Sequence, residues 1–401
     1  MSRVDELIKE LCPDGVPHFA VGDIAAYAAT RVNPSNISTS EYVGVENLLQ
    51  NAGGRTDATA VPDYSALVEY RVGDILLGNI RPYLKKVWLS DRDGGTNGDV
   101  LVVRVLPAHV EAVLPLFLYF LLSSDSFFAY SMQHAKGAKM PRGDKGAILR
   151  FRVPVPPLEV QREIVRILDL FTRLEAELEA ELEARRRQHA FYWNSLLTPD
   201  DGWHKTTLGE IADIFDGPHA TPKKTAAGSW YLSISSLKNG RFDLTESARL
   251  GEDEFLAWTR RVSPRVGDTM FSYETRVGQA AYWDRDEPAA LGRRMGLLRP
   301  RESVVDPRFL TLVYLGPQFQ ALIQTKIVRG ATVDRIPIAD ISTWGLSIPP
   351  LEEQERIVAI LDKFDVLVND LSVGLPAELA ARRKQYEHYR DRLLTFDEAF
   401  A

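Results

Sequence analysis

The residues with the most chemistry to offer are cations set beside glycine and aromatic side chains. Asn79-Ile80-Arg81-Pro82-Tyr83-Leu84-Lys85-Lys86 follows an apolar run that reads as a strand. Its Asn79, Arg81, Lys85 and Lys86 could meet a phosphate chain or the edge of a guanine, since Arg is a planar fork of donors and Lys a point charge. Lys136, Lys139 and Arg142 form a second cluster, with Gly137 and Gly143 supplying flexibility. Further along, Tyr273-Glu274-Thr275-Arg276 stands after a matching strand. Arg293 and Arg294, Arg329 and Thr332 (in Arg-Gly-Ala-Thr), and Lys223 and Lys224 complete the candidates. A solvated turn explains any single one of the loop cations equally well. Glu46 and Asn47 fit a turn cap better than a base contact.

Catalytic and metal chemistry finds little support. No Gly-Lys dipeptide exists, so there is no phosphate-binding loop of the Gly-Lys-Ser/Thr type. No acidic residue lies two places before any Lys, which removes half of a common nuclease metal site. The seven His residues show no H-x-x-x-H spacing, and Cys12 is the one cysteine. No Gly-x-Ser-x-Gly elbow occurs. The pattern favours a binding protein with no catalytic residues of its own and no bound metal or cofactor.

The elements that must position these loops announce themselves by repetition. Residues 156–171, PPLEVQREIVRILDLF, return at 349–364 as PPLEEQERIVAILDKF, with eleven of sixteen positions identical. The likeness is collinear elsewhere. VGDIAAY (21–27) matches LGEIADI (208–214), and the Arg-Val-Gly-Asp of 71–74 recurs at 265–268. KGAKMPRGDKGAI (136–148) matches RGATVDRIPIADI (329–341), and ARRRQHAFYWNSLL (184–197) matches ARRKQYEHYRDRLL (381–394). The spacing predicts two similar α/β (α+β) domains over 1–155 and 199–348. Each is followed by a long helix, over 156–198 and 349–398. Ile164, Ile167, Leu168, Phe171, Leu174 and Leu178 fall three and four apart on the first helix, and Ile357, Ile360, Leu361 and Phe364 on the second. These stripes should bury each other in an antiparallel coiled coil. Gly374 and Pro376 predict a kink or short break near 374–376 in the second. Glu159, Gln161, Glu352 and Gln354 are polar yet identical in both copies, which suits either a cap network or a docking surface for a partner present twice.

At 401 residues, 45% hydrophobic and 26% charged, the composition is that of a multidomain soluble protein with no membrane span. A single cysteine suits the cytoplasm. The net charge of −7 comes from the two predicted helical segments, which carry −3 (156–200) and −4 (349–401). The two larger blocks stand at −1 and +1, leaving room for local basic faces. The bias to Arg, 35 against 13 Lys, fits either duplex contacts or a GC-rich genome.

Two copies of Pro-Pro-Leu-Glu-x-Gln-x-x-Ile-Val-x-Ile-Leu-Asp, each after a larger variable block, resemble the specificity (S) subunit of type I restriction–modification systems. So do the openings VGDIAAY and LGEIADI, the Arg-Val-Gly-Asp turns and the run GLPAELAARRKQYEHYRDRLLTF. The resemblance covers nearly the whole chain. It implies two target-recognition domains that read the halves of an asymmetric bipartite sequence in double-stranded DNA. It also implies conserved helices that set the spacer and dock two modification (M) subunits. Those subunits bind S-adenosylmethionine and methylate adenine, and restriction (R) subunits use ATP and Mg to translocate and cleave. The rival readings are a coiled-coil scaffold that never meets DNA and a stand-alone nuclease.

Overall fold

A computed structural model describes residues 3–63, 66–330, 333–370 and 372–399. The four predicted blocks regroup into two compact units. One comprises residues up to 179 together with 379 onward, and the other comprises 180–378. A single helix, Leu158–Leu196, supplies residues to both. Its 39 residues amount to about 58 Å at 1.5 Å per residue.

In the first unit, a four-stranded antiparallel sheet runs in the order Ala25–Tyr27, Val100–Val105, Ile75–Gly78, Val87–Leu89. In the second unit, Ala212–Asp216, Met295–Pro300, Thr269–Ser272 and Ala280–Tyr282 repeat that order. The Arg-Val-Gly-Asp turns are part of this shared frame. Gly73 and Gly267 take φ of 86° and 96°, a conformation open to glycine. Asp74 accepts the Arg71 amide at 2.7 Å and holds Arg104 through two bonds of 2.6 and 2.8 Å. Asp268 does the same with the Arg265 amide and Arg299. A recurring motif thus serves the fold.

A second sheet sets the heads apart. In the first unit Gly94–Thr96 lies between Leu67–Tyr70 and Tyr42–Val43. In the other, Ser229–Leu232, the counterpart of Tyr42–Val43, takes the inner place, between Ala248–Leu250 and Ala289–Leu291. The two heads share one sheet order and differ in the other.

The helices pack in two stages. Val160, Ile164 and Leu168 are fully buried against Phe117, Leu118 and neighbours in the core of the first head. Ile357 and Leu361 enter the core of the second head with Phe309 and Leu310. These four stripe positions, Ile164, Leu168, Ile357 and Leu361, therefore belong to the heads. Helix-on-helix pairing takes over at the aromatic positions. Phe171 meets Tyr389 and Tyr386 at ring separations of 5.6 and 6.2 Å. Arg383 bonds Glu175 at 2.6 Å and also reaches Glu179. Partner numbers fall as 171 rises to 179, so the pairing is antiparallel. In the second unit Phe364 stacks on Tyr192 at 5.3 Å. Ile167, Leu178 and Ile360 are half-buried. Leu174 departs from the expected core, being 38% exposed; it lies outside the cluster that buries Val160, Ile164 and Leu168.

The second copy is two helices, Leu351–Asn369 and Leu375–Leu393. Between them, a Cβ on Gly374 would stand 2.4 Å from the Val366 carbonyl and 2.7 Å from that of Leu367. The chain closes on itself there at a point only glycine permits. Among the described residues no helix is long and apolar enough to cross a membrane.

Candidate nucleic-acid interface

Two clusters separated by fifty residues of sequence form one surface on the first head. The Arg81 amide donates to the Pro141 carbonyl at 2.7 Å, and the Gly143 amide to the Asn79 carbonyl at 3.0 Å. Isolated bridges join Ile80 to Arg142 and Lys136 to Arg142. The loop 79–86 is thereby sewn to the loop 136–143. The second head repeats the seam. The Ile336 amide donates to the Tyr273 carbonyl at 2.8 Å, and bridges join Glu274 to Arg335 and Val328 to Arg335.

Within this frame the cations divide by what already holds them. Lys86 donates to the Val45 carbonyl at 2.7 Å, and burial pulls its ammonium below its ordinary range. Lys85 is 2.5 Å from Asp125. Lys136 pairs with Asp144 at 2.7 Å, and Arg142 with Asp99 at 3.2 Å. Lys136 and the Ala147 amide together depress the Asp144 carboxyl to about 2. Arg294 pairs with Glu274. Asn79 and Tyr273 are buried. Burial first, and then Asp216, push the Tyr273 hydroxyl well above its usual range. These contacts build the seam, and Lys136 and Arg142 stay largely exposed beside it. Among the described residues Arg81, Lys139, Arg276, Arg293 and Arg329 are exposed and form no ion pair. Lys223 is exposed, with its amide bonded to Glu254, and Lys224 lies over the Tyr231 ring at 5.6 Å. Thr332 lies outside the described residues. Asn47 caps its own turn, accepting the Gly44 amide at 2.9 Å.

Sequence reasoning missed Arg335, although the alignment of KGAKMPR with RGATVDR puts it opposite Arg142. It also missed Asp125 and Arg390, whose importance depends on packing between distant segments. Asp216 and His219, 3.0 Å apart, come next to this surface because Gly217 and Pro218 bond across to Met295 and Arg294.

Paired heads with the same seam, on a duplicated chain, invite comparison with known proteins. The model of the type I restriction modification DNA specificity domain matches residues 21–184 and again 200–381. The chain belongs to the type I restriction–modification DNA specificity family. A putative type I restriction enzyme specificity subunit of Haemophilus influenzae, S.HindORF215P, is 30% identical over 289 residues, 70% of this chain and 72% of that one. The EcoR124I/EcoR124II specificity subunit of Escherichia coli is 32% identical over 266 residues, 61% of this chain and 63% of that one. In fold the chain is similar to the HsdS subunit of Thermoanaerobacter tengcongensis, with a TM-score of 0.54, 22% identity and coverage of 96% and 97%. It is also similar to a chain from a study of complex assembly in the type I R-M system, with a TM-score of 0.59, 23% identity and coverage of 95% and 98%.

For this specificity-family chain the shared polar residues of the helix starts need reassignment. Gln161 and Gln354 are both 0% exposed, so neither can dock a partner. Gln161 accepts the Leu114 amide at 3.0 Å and donates to the Ala112 and Pro156 carbonyls, both at 2.7 Å. Gln354 accepts the Asp306 amide at 2.8 Å and donates to the Val304 and Pro349 carbonyls at 3.1 and 2.8 Å. Each glutamine staples a helix start to its own head. Glu159 and Glu352 are exposed.

Proposed function

We propose that this chain selects the DNA sequence on which a type I restriction–modification assembly acts. The first head reads one half of a bipartite duplex target and the second head reads the other. The observation that carries the reading is the repeated seam, which presents Arg81 and Lys139 on one head and Arg276 and Arg329 on the other, each without an internal partner. Cations of this kind fix a protein on the phosphate chain and can read guanine. The difference in the second sheets suits two unlike half-sites. The helices separate the half-sites, and the exposed Glu159 and Glu352 belong to the surface that meets the modification subunits. The chain itself catalyses nothing. S-adenosylmethionine belongs to the modification subunits, ATP and Mg to the restriction subunits, and the setting is the cytoplasm.

The test is selection from a randomised duplex library by the full chain with its modification subunits. A two-part motif should emerge. Arg81→Ala should relax one part and Arg276→Ala the other, each by about 1–3 kcal/mol if the lost contact is to a base. Equal loss in both parts would refute the division of labour. A scaffold that never meets DNA would show no salt-dependent binding at all.

A further inference from the structure

The loop that presents Arg81 is bent through left-handed backbone twice, at Arg81 (φ 52°) and Lys85 (φ 49°). Residues with a Cβ hold that conformation only where their surroundings impose it. In the first head the surroundings are ionic. Lys85 Nζ donates to Asp125 Oδ1 at 2.5 Å. The other oxygen of Asp125 faces an Arg390 guanidinium nitrogen at 3.3 Å. Arg390 comes from the helix Leu375–Leu393, and its side chain is only 9% exposed. It bonds Asp391 at 3.0 Å and lies over the Tyr386 ring at 5.9 Å. Tyr386 in turn meets Phe171 of the long helix. One carboxylate therefore joins the Arg81 loop to the helical pair.

The second head does this differently. Its loop turns through left-handed backbone at Thr275 and Gly278. Gln320 donates one amide nitrogen to the Gly278 and Tyr314 carbonyls at 2.9 and 2.8 Å. The helix residue aligned with Arg390 is Trp193, a neutral, half-buried ring packed against the core of the second head. The second brace holds no formal charge.

We propose that Asp125 is a positioning residue for recognition by the first head. It holds the Arg81 loop through Lys85 and registers that loop against the helices through Arg390, while Gln320 holds the corresponding loop of the second head without charge. The inference rests on the reading of the two heads as half-site readers. It assigns to Asp125, Lys85 and Arg390 a selective effect on one half-site, exerted through the placement of the Arg81 loop.

Selection from a randomised duplex library, using the full chain with its modification subunits, tests it. Asp125→Asn and Lys85→Gln should each lower discrimination in one half of the motif by roughly two- to fivefold, the scale of a partly exposed ion pair. The other half should stay unchanged, and thermal unfolding should move little. The double variant should be no worse than the more severe single one, because both remove the same bond. Gln320→Ala should give the reciprocal pattern. Loss spread equally over both halves, no loss in any variant, or additive losses in the double variant would overturn the proposal. Lys85 lies in a surface loop, so its variant tests the idea even if Asp125→Asn misfolds. A wild-type chain that selects no two-part motif would instead sink the functional reading and this inference with it.

Discussion

Gln161 and Gln354 show how far residue type alone carries. Both were legible as shared polar positions, but a polar residue repeated on two helices looks the same whether it faces solvent or main chain. Their fate depends on where the carbonyls of Ala112 and Val304 end up, which no local pattern records. Removing such a side chain strands buried donors and acceptors, at about 1–3 kcal/mol for each group. With three such groups stranded, Gln161→Ala should therefore lower stability by about 3 kcal/mol or more in urea unfolding, with Gln354→Ala doing the same for the second unit. The basic loops give the same lesson. Lys85, Lys86 and Arg81 read alike, and only tertiary contacts separate the two that are held from the one that is presented. Asp144 adds a pH dependence. Its carboxyl is depressed to about 2, below the ordinary aspartate range. Its stabilising contribution is complete above about pH 4 and is lost as pH falls through about 2. Asp144→Ala should flatten the acid limb of a pH titration followed by circular dichroism in that window.

At the scale of elements, the apolar stripe of the long helix was readable because spacings of three and four have one physical meaning. What covers the stripe was not readable, since any apolar surface serves. Leu168 is sealed by the first head, while Leu174 lies outside that core and is 38% exposed. Leu168→Ala should cost about 2–5 kcal/mol. Leu174→Ala should stay near about 0.5 kcal/mol. Comparing the two by denaturant unfolding separates burial from mere membership of the stripe. Arg383, which bonds Glu175 and Glu179 across the helical pair, is half exposed. Arg383→Ala should cost about 0.2–1 kcal/mol, and the difference from wild type should shrink in high salt. The interruption after Asn369 was foreseeable from Gly374 and Pro376. The close approach of Gly374 to two carbonyls adds that even Gly374→Ala should destabilise this segment.

For the whole molecule, a net charge of −7 argues against nucleic acid until the charge is assigned to parts. The heads are near neutral, and Arg81 and Lys139 on one, Arg276 and Arg329 on the other, stand exposed and, among the described residues, unpaired in the seam loops. Each phosphate contact contributes about −0.9 to the slope of log affinity against log salt on duplex DNA. Replacing Lys139 by Ala should reduce that slope by about one if it meets a phosphate, and should weaken all sequences alike. That outcome would distinguish it from Arg81, whose loss should be sequence-dependent. Duplication was plain in the sequence, and so were the shared turns. The unlike strand order of the second sheets was not, because strands of two to four residues carry too little pattern to fix their neighbours.

The glutamine staples have one more consequence. Every group they grip is a backbone amide or carbonyl, at residues 112, 114 and 156 in one head and 304, 306 and 349 in the other. The staple is thus blind to the side chains at those six positions. A head exchanged for another keeps it wherever the new chain follows the same main-chain path and offers an apolar bed to Val160, Ile164 and Leu168.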